Sequence, residues 1–180
     1  MKSIDDFILE HGAEAGAYNL DPGKQSDREK LSSRCRERSL YLLQDTDRSE
    51  AKLRSKLRAS GKYPEEIISE TIGFLKTYGY LDDARLAERF VESQAGQRSR
   101  REIERKLMER GVGRETIREA LNACPEDAEL SAARKFLGKK CRDLAACDEA
   151  EKRKLYAALL RKGFSPDTVR QAMRIDEEYA

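Results

Sequence analysis

Apolar residues four apart, closed by a glycine one turn later, recur three times along the chain. Leu53, Leu57, Gly61 and Ile67 are followed by Ile103, Leu107, Gly111 and Ile117, and then by Leu155, Leu159, Gly163 and Val169. The internal spacing is 4, 4 and 6 in every copy, and the copies are offset by 50 and then 52 residues. Residues four apart share one face of a helix. A glycine just past the last apolar turn is the expected left-handed C-cap, where a side chain would be strained. A second helix then starts. Tyr63-Pro64-Glu65-Glu66 and Phe164-Ser165-Pro166-Asp167 place proline where a missing N–H is no loss and acids at the positive end of the helix dipole, with Ser165 as an N-cap. Each motif predicts a helix end, a tight turn and a second helix.

A further helix precedes each motif: Arg34 to Asp45, Asp82 to Gln94 and Pro125 to Lys140, with Asp47-Arg48-Ser49-Glu50 read as a capping box for the helix that follows the first. The expected architecture is all-α, with three tandem three-helix repeats at 34–80, 81–124 and 125–180 forming an elongated, curved array. Residues 1–33 lie outside the pattern. They are expected to be an acidic, mobile N-terminal extension, with one short helix from Ile4 to Leu9.

Composition supports helix and thins the core. Ala, Leu, Arg, Lys and Glu dominate, while Val numbers only three and Ile eight, which leaves little strand-forming material. Charged residues make up 39% of the 180 residues and apolar ones 38%, a ratio that suits small repeated modules better than one large core. The net charge of +2 averages an acidic leader of −3 with a modular body of +5. No apolar run approaches the roughly 20 residues of a membrane-spanning helix. Asp5, Asp6 and Glu10 stand where a secretory signal would carry its apolar stretch, so the expected location is the cytoplasm.

Cationic residues are the most informative polar feature. Arg48, Lys52 and Lys56 are spaced i, i+4, i+8; Arg98, Arg100, Arg101 and Arg105 crowd the middle module; Lys139, Lys140, Lys152 and Arg153 lie in the third. Like charges at helical spacing are mildly unfavourable unless an anion meets them. The bland alternative is a solvated face with ordinary i, i+4 pairs such as Glu50–Arg54 and Glu102–Lys106. Asp82-Asp83 reads as a helix N-terminal cap ahead of a metal site. Phe74, Tyr78, Tyr80, Phe90, Phe136 and Phe164 read as packing residues ahead of base-stacking platforms. Cys35, Cys124, Cys141 and Cys147 form no CxxC, and with His11 the sole histidine they read as reduced, structurally ordinary thiols. With no phosphate loop and no nucleophile elbow, neither a catalytic residue nor a cofactor or metal site is expected.

The stretch Gly79-Tyr80-Leu81-Asp82-Asp83-Ala84-Arg85, followed by Ala87-Glu88-Arg89-Phe90-Val91, resembles the signature of the RecX family, bacterial regulators of the RecA recombinase. Ser49-Glu50-Ala51-Lys52-Leu53 with Lys56-Leu57 resembles the opening of that family's first module. Arg100-Arg101-Glu102-Ile103 with Gly111-Val112 resembles its middle module, and Arg161-Lys162-Gly163-Phe164 its last. The chain departs at Leu86, where an aromatic is usual, and at Gln97-Arg98-Ser99, where a Gly-Pro is often found. The resemblance implies a non-enzymatic protein of tandem three-helix repeats. It would bind the filament of recombinase on single-stranded DNA and limit ATP hydrolysis, strand exchange and filament extension. Gly61, Gly79, Tyr80, Leu81, Asp82, Asp83, Phe90, Gly111 and Gly163 would be its structural signature, and the basic residues named above its DNA or filament contacts. A monomer with no membrane and no small-molecule substrate is expected. Two competing readings are a sequence-nonspecific DNA-binding module with no recombinase partner and a helical adaptor for proteins only.

Overall fold

The computed structural model describes residues 23–44, 48–125, 127–144 and 146–174. Among these, nine α-helices and no strand are present. They are α1 Gln25–Gln44, α2 Glu50–Ala59, α3 Glu65–Thr77, α4 Asp83–Gln94, α5 Arg100–Glu109, α6 Arg114–Asn122, α7 Ala128–Lys140, α8 Glu149–Arg161 and α9 Pro166–Arg174. The expected all-α series of three-helix sets is therefore present as α1–α3, α4–α6 and α7–α9. The expected Ile4–Leu9 helix lies outside the described residues. The chain divides into two compact units, one ending at Leu86 and the other starting at Ala87.

In the first unit α1 packs chiefly on α3, and α2 rests against both. The core joins Cys35, Leu40 and Leu42 of α1 to Leu53 and Leu57 of α2 and to Ile67, Ile68, Ile72 and Leu75 of α3. Helix α1 starts at Gln25, nine residues before the Arg34 start that apolar spacing suggested. Its buried stripe is Leu31, Cys35, Ser39, Leu40 and Leu42, so two of the helix-period positions are a thiol and a hydroxyl and carry little apolar signal. Ser39 is tolerated there because its hydroxyl donates to the carbonyl of Cys35 at 2.7 Å, one turn back. Helix α2 is capped by Ser49, whose Oγ accepts from the Lys52 backbone N–H. The capping box read from Asp47 to Glu50 is not what opens this helix. Asp47 lies outside the described residues, and Glu50 instead accepts from Arg54 and Lys76.

In the second unit α5 packs on α6, while α7 packs on α8 and α9. Ala87, Val91, Ile103, Leu107, Val112, Ile117, Ala120 and Leu121 are buried in the middle set. Ala132, Ala133, Leu137, Leu144, Leu159, Phe164, Val169 and Ala172 form the core of the last. The repeated glycines act as the spacing predicts: Gly61, Gly111 and Gly163 all have positive φ. After α5, the Gly111 N–H reaches the carbonyl of Met108 and the Val112 N–H that of Leu107; after α8, Gly163 reaches Leu160 and Phe164 reaches Leu159. This is the Schellman closure, and the residues it brings together, Val112 with Leu107 and Phe164 with Leu159, are all buried. Helix α8 opens a turn earlier relative to its motif than α2 or α5 do. Asp148 and Glu151 form a reciprocal capping box there; Leu155 is half-buried, where Leu53 and Ile103 are fully enclosed.

Candidate functional site

Within the second unit, α5 and the turn after α8 border a cleft of about 590 Å³. Arg101 and Arg105 project from α5, one turn apart, and Arg161 and Lys162 come from the end of α8. Glu102 and Glu104 also line it, with Met108 and Leu160 supplying apolar patches that are 40% and 38% exposed. Glu102 is engaged by Arg98, and Arg105 pairs with Glu109. Arg101, Arg161 and Lys162 have no side-chain partner among the described residues, so the cleft carries surplus positive charge beside exposed apolar surface.

Ser99 builds this cleft. Its side chain is fully buried and accepts from the Glu102 N–H at 3.1 Å, capping α5, while its O–H donates to the Lys162 carbonyl at 2.7 Å. Gly163 sits directly opposite. A Cβ there would meet Ser99 Oγ at 3.0 Å and Arg101 Cβ at 3.1 Å, so close approach as well as a φ of +88° demands glycine.

The remaining cationic residues separate into two groups. Some are occupied within the fold. Arg48 precedes α2 rather than lying on it, so the i, i+4, i+8 ladder is broken, and its Nε donates to the Leu42 carbonyl at 2.8 Å. Arg98 binds Gln94 and Glu102. Arg100 donates from Nη2 to the Leu121 carbonyl at 2.8 Å, satisfying the C-terminal end of α6, and its backbone N–H reaches Glu129. Lys152 stands 3.7 Å from Glu149. Arg54 and Arg58 both clasp Glu65, whose carboxyl they hold down at about 2. Others are exposed and have no side-chain partner among the described residues: Lys52 and Lys56 on α2, Lys139 and Lys140 on α7, and Arg153 on α8.

The signature stretch is structural. Gly79 turns the chain at a φ of +72°, Tyr80 packs half-buried on the first core, and Leu81 is buried in it. The two adjacent aspartates cap two different helices: Asp82 Oδ1 accepts from the Arg85 N–H of its own helix, and Asp83 Oδ1 accepts from the Glu50 N–H at the start of α2. Burial pushes the Asp83 carboxyl up. Phe90 lies under the Arg110 guanidinium, 4.4 Å from its ring centre.

Sequence spacing had pointed to Arg101 and Arg105 but not to their pairing with Arg161, Lys162, Met108 and Leu160. The only available signal was that Arg161-Lys162-Gly163 ends a repeated motif. No helix among the described residues is long and apolar enough to cross a membrane.

Among the described residues, nine helices in three three-helix sets, closed by left-handed glycines and presenting unpaired cations, define an all-α protein of tandem three-helix domains. Models of the first, second and third three-helix domains of RecX match residues 35–75, 82–121 and 127–173. The chain belongs to the RecX family. Among curated relatives, regulatory protein RecX of Thermobifida fusca is 31% identical over 163 residues, covering 87% of this chain and 86% of that protein. Regulatory protein RecX of Clostridium botulinum strain Alaska E43 is 31% identical over 144 residues, covering 78% and 68%. The crystal structure of RecX from Lactobacillus salivarius superposes with a TM-score of 0.74 at 20% identity, covering 83% of this chain and 98% of that one. A second RecX crystal structure gives 0.71 at 21% identity, covering 93% and 86%. The family is one of regulatory proteins, not of known enzymes.

Proposed function

We propose that this protein inhibits a RecA-type recombinase by binding its filament on single-stranded DNA, limiting ATP hydrolysis, strand exchange and filament extension. Family membership supports the partner. The observation that carries the mode of contact is the surplus of unpaired cations in the cleft of Arg101, Arg161 and Lys162. Lys52 and Lys56 carry that cationic character to the first module, and Lys139, Lys140 and Arg153 add to it on the third. Cations already held by internal carboxylates or carbonyls gain little from a new anion, because an existing partner must be released first. Arg48, Arg98 and Arg100 are therefore assigned to the scaffold. Several weak contacts on tethered modules reinforce one another through effective concentration, so a net charge of only +2 is compatible with firm binding.

The protein acts in this reading as a cytoplasmic monomer without substrate or cofactor. Its modules are 34–80, 81–124 and 125–180, with the first helix of the first module reaching back to Gln25. The test is a titration of single-stranded-DNA-dependent recombinase ATPase, at defined salt, with wild type and the triple variant Arg101→Glu, Arg161→Glu, Lys162→Glu. Weakened inhibition by a folded triple variant is expected, and undiminished inhibition would remove the cleft from the interface. An unrelated DNA-stimulated ATPase on the same DNA should be spared. Equal inhibition of both enzymes would favour sequence-nonspecific DNA binding instead.

A further inference from the structure

Two thiols converge where α7 passes to α8. Cys141 is the C-cap of α7, and Cys147 immediately precedes Asp148, the N-cap of α8. Their Sγ atoms lie 2.6 Å apart, and both approach the Asp143 carbonyl oxygen, at 3.0 Å from Cys141 and 3.4 Å from Cys147. The connection is anchored between them: Leu144 is buried in the core of the last module. Packing at Leu144 and the fixed ends of two helices therefore hold the sulfur atoms together. Each thiol is only half-buried, so a small reagent reaches them.

We propose that Cys141 and Cys147 form a thiol–disulfide exchange site, whose co-substrate is a low-molecular-weight disulfide and whose product is an intramolecular bridge from the end of α7 to the start of α8. One of the two thiols, as thiolate, attacks one sulfur of the small disulfide; the S–S bond breaks, one small thiolate leaves, and a mixed disulfide forms on that cysteine. The other thiol then loses its proton and attacks the protein sulfur of the mixed disulfide, expelling the second small thiolate. The two protons from the protein thiols end on the two small thiols. The protein gives up two electrons and the small disulfide takes them.

The hydrogen bond with Cys141 is the main reason the Cys147 thiol is pushed up to about 11. Cys35 stands apart, fully buried in the first core with its thiol pushed up by burial. Cys124 has no second thiol beside it among the described residues. A bridge would tie the end of α7, with Lys139 and Lys140, to the start of α8, with Lys152 and Arg153.

The test uses the full chain, reduced and then equilibrated with oxidised and reduced glutathione in graded ratio, with free thiols alkylated afterwards. Digestion with trypsin cuts after Arg142, so a bridge appears as two peptides, one holding Cys141 and the other Cys147, joined with the loss of two hydrogens. That linked pair, with Cys35 and Cys124 alkylated, is the expected result. The Cys147→Ser variant should instead accumulate the glutathione adduct on Cys141. Persistent glutathione adducts on both cysteines of the wild type, a link to Cys124, a bridge between two chains, or full alkylation at every ratio would each overturn the proposal. The wild-type measurement stands whether or not the variant folds.

Discussion

The hydroxyl of Ser99 donates to the carbonyl of Lys162, 63 residues further along the chain, at 2.7 Å. One side chain thus caps the first turn of α5 and holds the turn after α8 against it. The cleft between them exists because of that double use. Replacing Ser99 by alanine removes the cap and leaves the part-buried Lys162 carbonyl without its donor. The expected cost is about 1–3 kcal/mol, read as a lower urea midpoint with an unchanged slope. A change within a few tenths of a kcal/mol would mean that the contact carries no weight in solution.

Gly163 and Gly61 occupy the same place in their repeats but not the same surroundings. Both have positive φ, yet a Cβ at Gly61 would meet nothing within 4 Å, while at Gly163 it would press on Ser99 and Arg101. Alanine at Gly61 should cost about 1 kcal/mol from backbone strain alone, and alanine at Gly163 clearly more. Paired thermal melts of the two variants measure the difference. Equal losses would show that α5 and the α8 turn separate freely to admit a methyl group.

Arg100 and Arg101 are neighbours in sequence with opposite expected phenotypes. Arg100→Ala should lower stability by about 1–2 kcal/mol, since the Leu121 carbonyl loses a charged donor. Arg101→Ala should leave the melting curve in place and weaken the response of recombinase ATPase. Denaturation and ATPase titration of both variants decide this. A destabilised Arg101→Ala with full inhibition would reverse the assignment.

Glu65 makes the fold sensitive to acid. Its carboxyl is held at about 2, against an ordinary 4.5, first by the hydrogen bond from Arg58 and then by Arg54. A lowered pKa in the folded state stabilises it above the unfolded value and ceases to do so as pH falls through the folded one. The contribution of Glu65 should therefore be complete above about pH 4.5 and fade towards pH 2. Urea midpoints of wild type and Glu65→Gln should differ near neutrality and converge in strong acid; a gap independent of pH would count against the pairing.

Asp83 caps a helix it does not belong to, so its loss should be felt in α2. Asp83→Ala should cost about 1 kcal/mol, while Asp83→Asn, which keeps an acceptor and no longer places a charge in a half-buried site, should recover most of it. Hydrogen exchange at the Glu50 amide is the direct measurement. Protection that survives Asp83→Ala would show that the amide has another acceptor.

Much of the fold was legible because helix signals are local. Spacings of four and a glycine after the last apolar turn depend only on neighbours in the chain, and they mark the paired helices α2–α3, α5–α6 and α8–α9, with a proline or serine at the next start in the first and third copies. Helix α1 reaches nine residues ahead of the Arg34 start that apolar spacing suggests, because Leu31 is the only buried residue in that stretch and one apolar position shows no periodicity. The candidate site was legible only as a list of cations. Arg48, Arg100 and Arg101 look alike in sequence, and each fate depends on a group that folding brings up: the Leu42 carbonyl, the Leu121 carbonyl, or open solvent.

Contiguous residues fix the all-α class and the threefold repeat, since periodicity and capping are local, and the stretch Gly79-Tyr80-Leu81-Asp82-Asp83 carries the resemblance to the family. Tertiary structure decided which charges are spent inside the fold, how Ser99 and Gly163 create a cleft between distant segments, and that Cys141 and Cys147 meet. Those outcomes rest on contacts between residues that chain distance does not relate, and they follow only once burial has fixed where each helix lies.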